Sequence, residues 1–150
     1  MSRFVIDASV AIKWVVAESG TAEALALLGN ELIAPALLQT ECANILWKKV
    51  KRGELLADEA KIAAKLLTRA GIVPCASEPD LTQAVKLALA LDHPAYDCVY
   101  LLAARAAGAP LVTADERLLR VVQSAQHSNA ALHGITVLPL VSSRAGPAAP

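Results

Sequence analysis

"DHPAYDCVYLLAARAAGAPLVTADERLL" runs from Asp92 to Leu119 and reads as a helix, a strand and a second helix. Pro94 opens the first helix, where a missing N–H is harmless, and Gly108 closes it. "PLVT" (110–113) is a short apolar run, the mark of a buried strand, and "ADERLLRVVQSA" (114–125) returns to a helical period. Most of the stretch is core wall: Val99, Leu101, Leu102, a run of alanines, then Leu111 and Val112. Yet Asp97 and Asp115 stand at its two ends, and no lysine or arginine lies three or four residues from Asp97. An uncompensated buried carboxylate costs on the order of several kcal/mol, whereas a helix dipole returns only about 0.3–1 kcal/mol. Positive charge must come from elsewhere.

The same alternation extends outward. "RFVID" (3–7) is a strand ending at Asp7, followed by an apolar helix, "ASVAIKWVV" (8–16). A second helix, "TAEALALLGN" (21–30), ends on a Gly-Asn stop, and "ELIAP" (31–35) is the next strand. "PALLQTECANILWKKVKRG" (35–53) is a long helix with Pro35 near its start. The periodic segment 58–70 closes at Gly71 and pairs with it as a helical hairpin. "IVPCA" (72–76), "DLTQAVKLALALD" (80–92) and "GITVLPL" (134–140) supply a strand, a helix and a last strand. Strands alternating with helices of this length imply a parallel sheet covered on both faces, hence one α/β domain over residues 1–141. The Pro, Gly, Ser and Ala of 142–150 predict a disordered tail.

Composition narrows the function. Hydrophobic residues make up 55% of the 150, and mean hydropathy is +0.46, so a partner or self-association is expected to cover apolar surface. Net charge is +0, so no global field attracts nucleic acid, and phosphate binding must use local cations or bound metal. Cys42, Cys75 and Cys98 are scattered, and His93, His127 and His133 lack zinc-ligand spacing; buried thiols in a reducing compartment follow. No signal peptide is visible, since Asp7 and Lys13 interrupt the apolar start. No apolar run reaches the roughly 18 residues of a membrane span. A cytoplasmic protein without a membrane partner is expected.

In open α/β sheets ligands bind beyond the carboxyl ends of the strands, where Asp7 and Asp115 fall. Thr113 and Glu116 have the T-x-x-E spacing of a capping box, which predicts Thr113 as the cap with Asp115 in the first turn. Acids favour helix starts in any case, so Asp115 alone decides little. Glu41 lies beside Leu37 and Ile45 on the long helix, as a surface glutamate or as part of a site. Lys48 and Arg52 follow on its face, each about 20° away and roughly 10 and 16 Å along. They form a solvated face or an RNA-phosphate track. Four converging acids would repel one another, and some would stay protonated unless divalent cations were bound. Oxygen-only donors select Mg²⁺ or Mn²⁺ over zinc.

"FVIDASVAIKW" (4–14), "APALLQTECANILW" (34–47), "AYDCVYLLAA" (95–104) and "LVTADERLL" (111–119) together resemble the PIN-domain nucleases, specifically the VapC toxins of VapBC toxin–antitoxin pairs, over nearly the whole chain to about Leu140. The resemblance implies a three-layer α/β/α fold with a mainly parallel central sheet and a protruding helical hairpin. It maps the family's acids, as catalytic residues and metal ligands, onto Asp7, Glu41, Asp97 and Asp115. Ser9 and Thr113 match its supporting hydroxyl positions. It further implies an endoribonuclease using Mg²⁺ or Mn²⁺ whose water attack leaves a 5′-phosphate and a 3′-hydroxyl. The implied partners are a cognate VapB-like antitoxin laid across the hairpin helices, and a toxin homodimer forming heterotetramers or larger assemblies with it. The chain departs from the family at "HP" before Ala95, where relatives often carry a hydroxyl cap; His93 is read as a residue preceding the helix rather than as a catalytic one. Two other readings are a haloacid-dehalogenase-like phosphohydrolase and a non-catalytic PIN-like interaction module. Against the first, the second acid of its D-x-D is Ser9 here; against the second, all four acids are present.

Overall fold

Strand β1 (Arg3–Ile6) runs from an exposed arginine into the fully buried pair Val5 and Ile6. That continuous apolar end is what a strand covered on both faces requires. The structure, a computed structural model, describes residues 1–141, and the tail expected over 142–150 lies outside them. β1 pairs in parallel with β2 (Glu31–Ala34) on one side, Val5 opposite Ile33, and with β4 (Leu111–Thr113) on the other, Val5 opposite Leu111. β3 (Val73–Pro74) extends the sheet beyond β2, and β5 (Val137–Pro139) extends it beyond β4. The order β3-β2-β1-β4-β5 is parallel at every pairing, which sharpens the expectation of a mainly parallel sheet.

Among the described residues, seven α-helices connect the strands: α1 (Ala8–Ala11), α2 (Thr21–Leu25), α3 (Leu37–Lys51), α4 (Ala57–Thr68), α5 (Leu81–Leu91), α6 (Ala95–Ala107) and α7 (Glu116–Ala125). Adjacent strand residues point to opposite faces, and that separates the layers. Ile33 and Val73 line a cavity with Ala103, Ala106 and Ala107 of α6, while Ala34, next to Ile33 in the strand, lines another with residues of α3 and α4. α6 and the α3–α4 pair therefore cover opposite faces of the sheet. α7 shows the local logic: Leu118 and Val122, one turn apart, are buried, and Arg120 and Gln123 face water.

The first two helices are shorter than the sequence suggests. Residues 8–16 give the single turn α1 and a 3-10 turn over Ile12–Trp14, and residues 21–30 give only α2 before the chain breaks into turns. β-branched Val10, Ile12, Val15 and Val16 favour a helix weakly, so packing sets the limit. Ile12 is instead the base of a second small core with Leu46 and Ala63, bordered by Val16, Leu55 and Leu67, which docks the α3–α4 hairpin. Glu18 ties the same corner by contacts to Lys13 at 3.1 Å and Lys49 at 3.0 Å. Burial pushes the Glu18 carboxyl up, but the two lysines outweigh it and hold it below its ordinary value.

Candidate active site

Asp7 follows β1 and is 4% exposed. Its two oxygens are taken by two hydroxyls: Ser9 Oγ donates to Oδ1 at 2.5 Å, and Thr113 Oγ1 donates to Oδ2. Each hydroxyl in turn accepts a backbone N–H from the turn after β4, Ser9 from Ala114 at 2.9 Å and Thr113 from Asp115 at 3.0 Å. The carboxylate at the end of β1 is thereby locked to the end of β4. These are the strands between which the order reverses, where an open α/β sheet splays to form a crevice. Burial foremost, offset by the two hydroxyls and reinforced by nearby Asp97, pushes the Asp7 carboxyl up to about 6.

The capping expectation at β4 needs correction. Asp115, not Thr113, is the N-cap of α7, its Oδ1 accepting from Arg117 N at 3.0 Å and Leu118 N at 3.2 Å. The T-x-x-E pattern misleads because Thr113 is still in the strand, fully buried, with its hydroxyl turned to Asp7.

α6 presents two groups on one face. Asp97 is in its first turn, and Tyr100, three residues on, is fully buried and donates from its hydroxyl to Glu41 Oε2 at 2.8 Å. Glu41 thus reaches the site from α3 as a half-buried group and not as a free surface glutamate. Burial raises its carboxyl, the Tyr100 hydroxyl lowers it and Asp97 raises it. Tyr100→Phe is expected to cost about 0.5–1.5 kcal/mol of stability, measured by urea unfolding, because Glu41 loses a donor that only partly accessible water replaces.

Asp97 is the electrostatic centre, adding its negative field at both Asp7 and Glu41 and receiving that of Asp115. Burial chiefly raises its carboxyl, with a contribution from Asp115, against His93 and Arg117. His93 does precede the helix as expected, since Pro94 is the N-cap, but its ring is also packed inward, Nε2 lying 2.5 Å from Asp97 Oδ2. Attention to the acids alone missed Tyr100 and Arg117, and it read His93 only as a residue preceding the helix. His93 and Tyr100 were detectable at four residues before and three after Asp97, whereas Arg117 required the tertiary fold.

Among the described residues, no three carboxylate, imidazole or thiol groups stand close enough together to hold an ion. Each acid is turned instead to its own donor: Asp7 to hydroxyls, Glu41 to a phenol, Asp97 to an imidazole and Asp115 to a helix N-terminus. The donor set itself, hard oxygens sharing one electrostatic centre, fits a Mg²⁺-type ion in chemistry. Lys48 and Arg52 are not drawn in; both are exposed along α3 and pair with none of the acids. All three cysteines are free, and burial pushes the Cys42 and Cys98 thiols up to about 12 and 11, so neither is a ready nucleophile.

A model of the PIN domain matches residues 4–123, four-fifths of the chain and all of its acids. The chain belongs to the PIN domain family. PIN domains are generally nucleases that use divalent metals. A solved structure, PAE2754 from Pyrobaculum aerophilum, superposes with a TM-score of 0.59 at 23% identity, covering 80% of this chain and 79% of that one. At that identity the likeness bears on the PIN fold alone. No curated protein matches the sequence. No helix among the described residues is long and apolar enough to cross a membrane.

Proposed function

We propose that this PIN domain is a Mg²⁺- or Mn²⁺-dependent endoribonuclease and the toxin of a VapBC-type pair. One observation carries the reading: a buried carboxylate, Asp7, lies at the strand-order reversal, and Asp97 stands within electrostatic reach of Asp7, Glu41 and Asp115 alike. When bound, a divalent ion supplies Lewis acidity to a phosphodiester and cancels the mutual repulsion of the acids. Asp7 and Asp97 would hold it, with Glu41 and Asp115 completing the shell directly or through water. Ser9 and Thr113 keep Asp7 oriented, and Arg117, exposed beside Asp115, places a cation within reach of an incoming phosphate. Water oxygen bonds to phosphorus, the bond from phosphorus to the 3′ oxygen breaks, and that oxygen leaves with a proton. The ends are a 5′-phosphate and a 3′-hydroxyl.

The D-x-D phosphatase alternative needs a general acid where Ser9 stands, and Ser9 is committed to Asp7 and to Ala114 N–H. Two sets of exposed apolar side chains support partners. Trp47, Leu56, Ile62 and Leu66 stay exposed on the hairpin, and Leu81, Val85 and Leu89 line α5 at helical spacing. An antitoxin segment and a second copy of the chain are the partners proposed for such surface, with light scattering of the chain alone and with antitoxin as the measurement.

Purified protein incubated with RNA and Mg²⁺ or Mn²⁺, with and without EDTA, tests the activity. Cleavage that needs the metal and leaves 5′-phosphates supports it. Cleavage persisting in EDTA, or hydrolysis confined to small phosphomonoesters, overturns it. With Lys48, Arg52 and Arg117 as the exposed cations invoked, log affinity for single-stranded RNA is expected to fall with log salt at a slope of about −2, from about −0.7 per neutralised phosphate. A slope several times steeper in fluorescence anisotropy would point to a larger basic surface than this.

A further inference from the structure

Helix α5 ends on Asp92 in the left-handed region (φ 49), the one non-glycine residue with positive φ among the described residues. Most L-residues are disfavoured there because the Cβ crowds the following carbonyl oxygen, and aspartate is among the few that adopt it as single residues. The turn lets His93 N–H close on the Ala88 carbonyl at 3.1 Å and leaves Pro94 to open α6. Its consequence is that the His93 ring points inward, leaving the residue 6% exposed.

Once buried, the ring has one partner. Nε2 meets Asp97 Oδ2 at 2.5 Å, and Nδ1 has no hydrogen-bond partner. A proton on Nδ1 would be a buried donor with no acceptor, the rarer and costlier kind of orphan, whereas a lone pair there is better tolerated. The ring therefore donates from Nε2 to Asp97 and leaves Nδ1 as the unpaired acceptor.

We propose that His93 is the positioning residue of Asp97. It fixes one carboxylate oxygen by an N–H···O bond from a ring that packing immobilises, leaving the other oxygen for the divalent ion. Hydrogen bonds behind a ligating carboxylate orient it and typically change metal affinity 10–100-fold. This inference rests on the nuclease reading, and it gives the departure at "HP" a role that a hydroxyl cap would not fill.

The full-length protein tests it with two readouts other than turnover. Imidazole ¹⁵N spectra of the metal-free wild type should show His93 protonated at Nε2; protonation at Nδ1 overturns the proposal. Calorimetric titration with Mn²⁺ then compares wild type, His93→Leu and His93→Gln, whose amide nitrogen stands near the Nε2 position. The leucine variant should bind Mn²⁺ about 10–100-fold more weakly while its thermal midpoint stays close to wild type, and the glutamine variant should recover most of the affinity. Wild-type affinity in the leucine variant, or equal loss in both, overturns the positioning role. Should the leucine variant fail to fold, the spectra and the glutamine variant still decide. A wild type that takes up no Mn²⁺ and cuts no RNA overturns the nuclease reading, and this inference with it; normal wild-type binding with an unaffected leucine variant removes the inference alone.

Discussion

Asp97→Asn is expected to lower RNA cleavage by at least about a thousandfold, equivalent to about 4 kcal/mol of transition-state stabilisation. Asparagine keeps the shape of the side chain and can still accept from His93 through its amide oxygen, so the α6 start should hold. The loss is therefore chemical, removal of the charge at the centre of the acidic group. The measurement is single-turnover cleavage at saturating Mn²⁺, with circular dichroism to confirm the fold. Wild-type rates in the folded variant would sink the proposed site.

Asp7→Asn should separate stability from activity. Burial foremost raises the Asp7 carboxyl from 3.8 to about 6. Between those values the folded protein binds the proton more tightly than the unfolded chain, so this group's contribution falls as pH rises from about 4 to 6 and stays unfavourable above. Two units at about 1.4 kcal/mol each put the penalty at up to about 3 kcal/mol near pH 7.5 in the absence of metal. The asparagine variant should then be more stable than wild type without metal at pH 7.5, by up to that amount, and lose the advantage near pH 4. It should also be inactive, and Mn²⁺ should raise the thermal midpoint of the wild type but not that of the variant. Urea unfolding across pH 4–8 checks this; a destabilised variant at pH 7.5 would show that the hydroxyl contacts outweigh the burial.

Much of this was legible from local pattern. The strands announced themselves as short apolar runs between breakers, and β1, β2, β3, β4 and β5 all lie where those runs are. The long helices α3, α4, α5, α6 and α7 likewise follow helical periodicity. The failures were local rules overridden by tertiary contacts. Residues 8–16 have a helical period but are bent into a 3-10 turn by the docking of Ile12 under the hairpin. Thr113 has the spacing of a cap, yet its hydroxyl goes to a carboxylate 106 residues away in the chain.

By itself the sequence determined the residue types available and the ends of the strands on which they fall, since hydrophobic period and helix breakers act over a few neighbouring residues. It placed Asp7 and Asp115 after strands and Asp97 in a helix start. What only the tertiary structure decided is the strand order, which sets β1 beside β4, and so the direction in which each polar group points. Whether an aspartate caps a helix, meets a hydroxyl or is held by a histidine depends on which donors long-range packing brings within about 3 Å, and chain distance does not encode that.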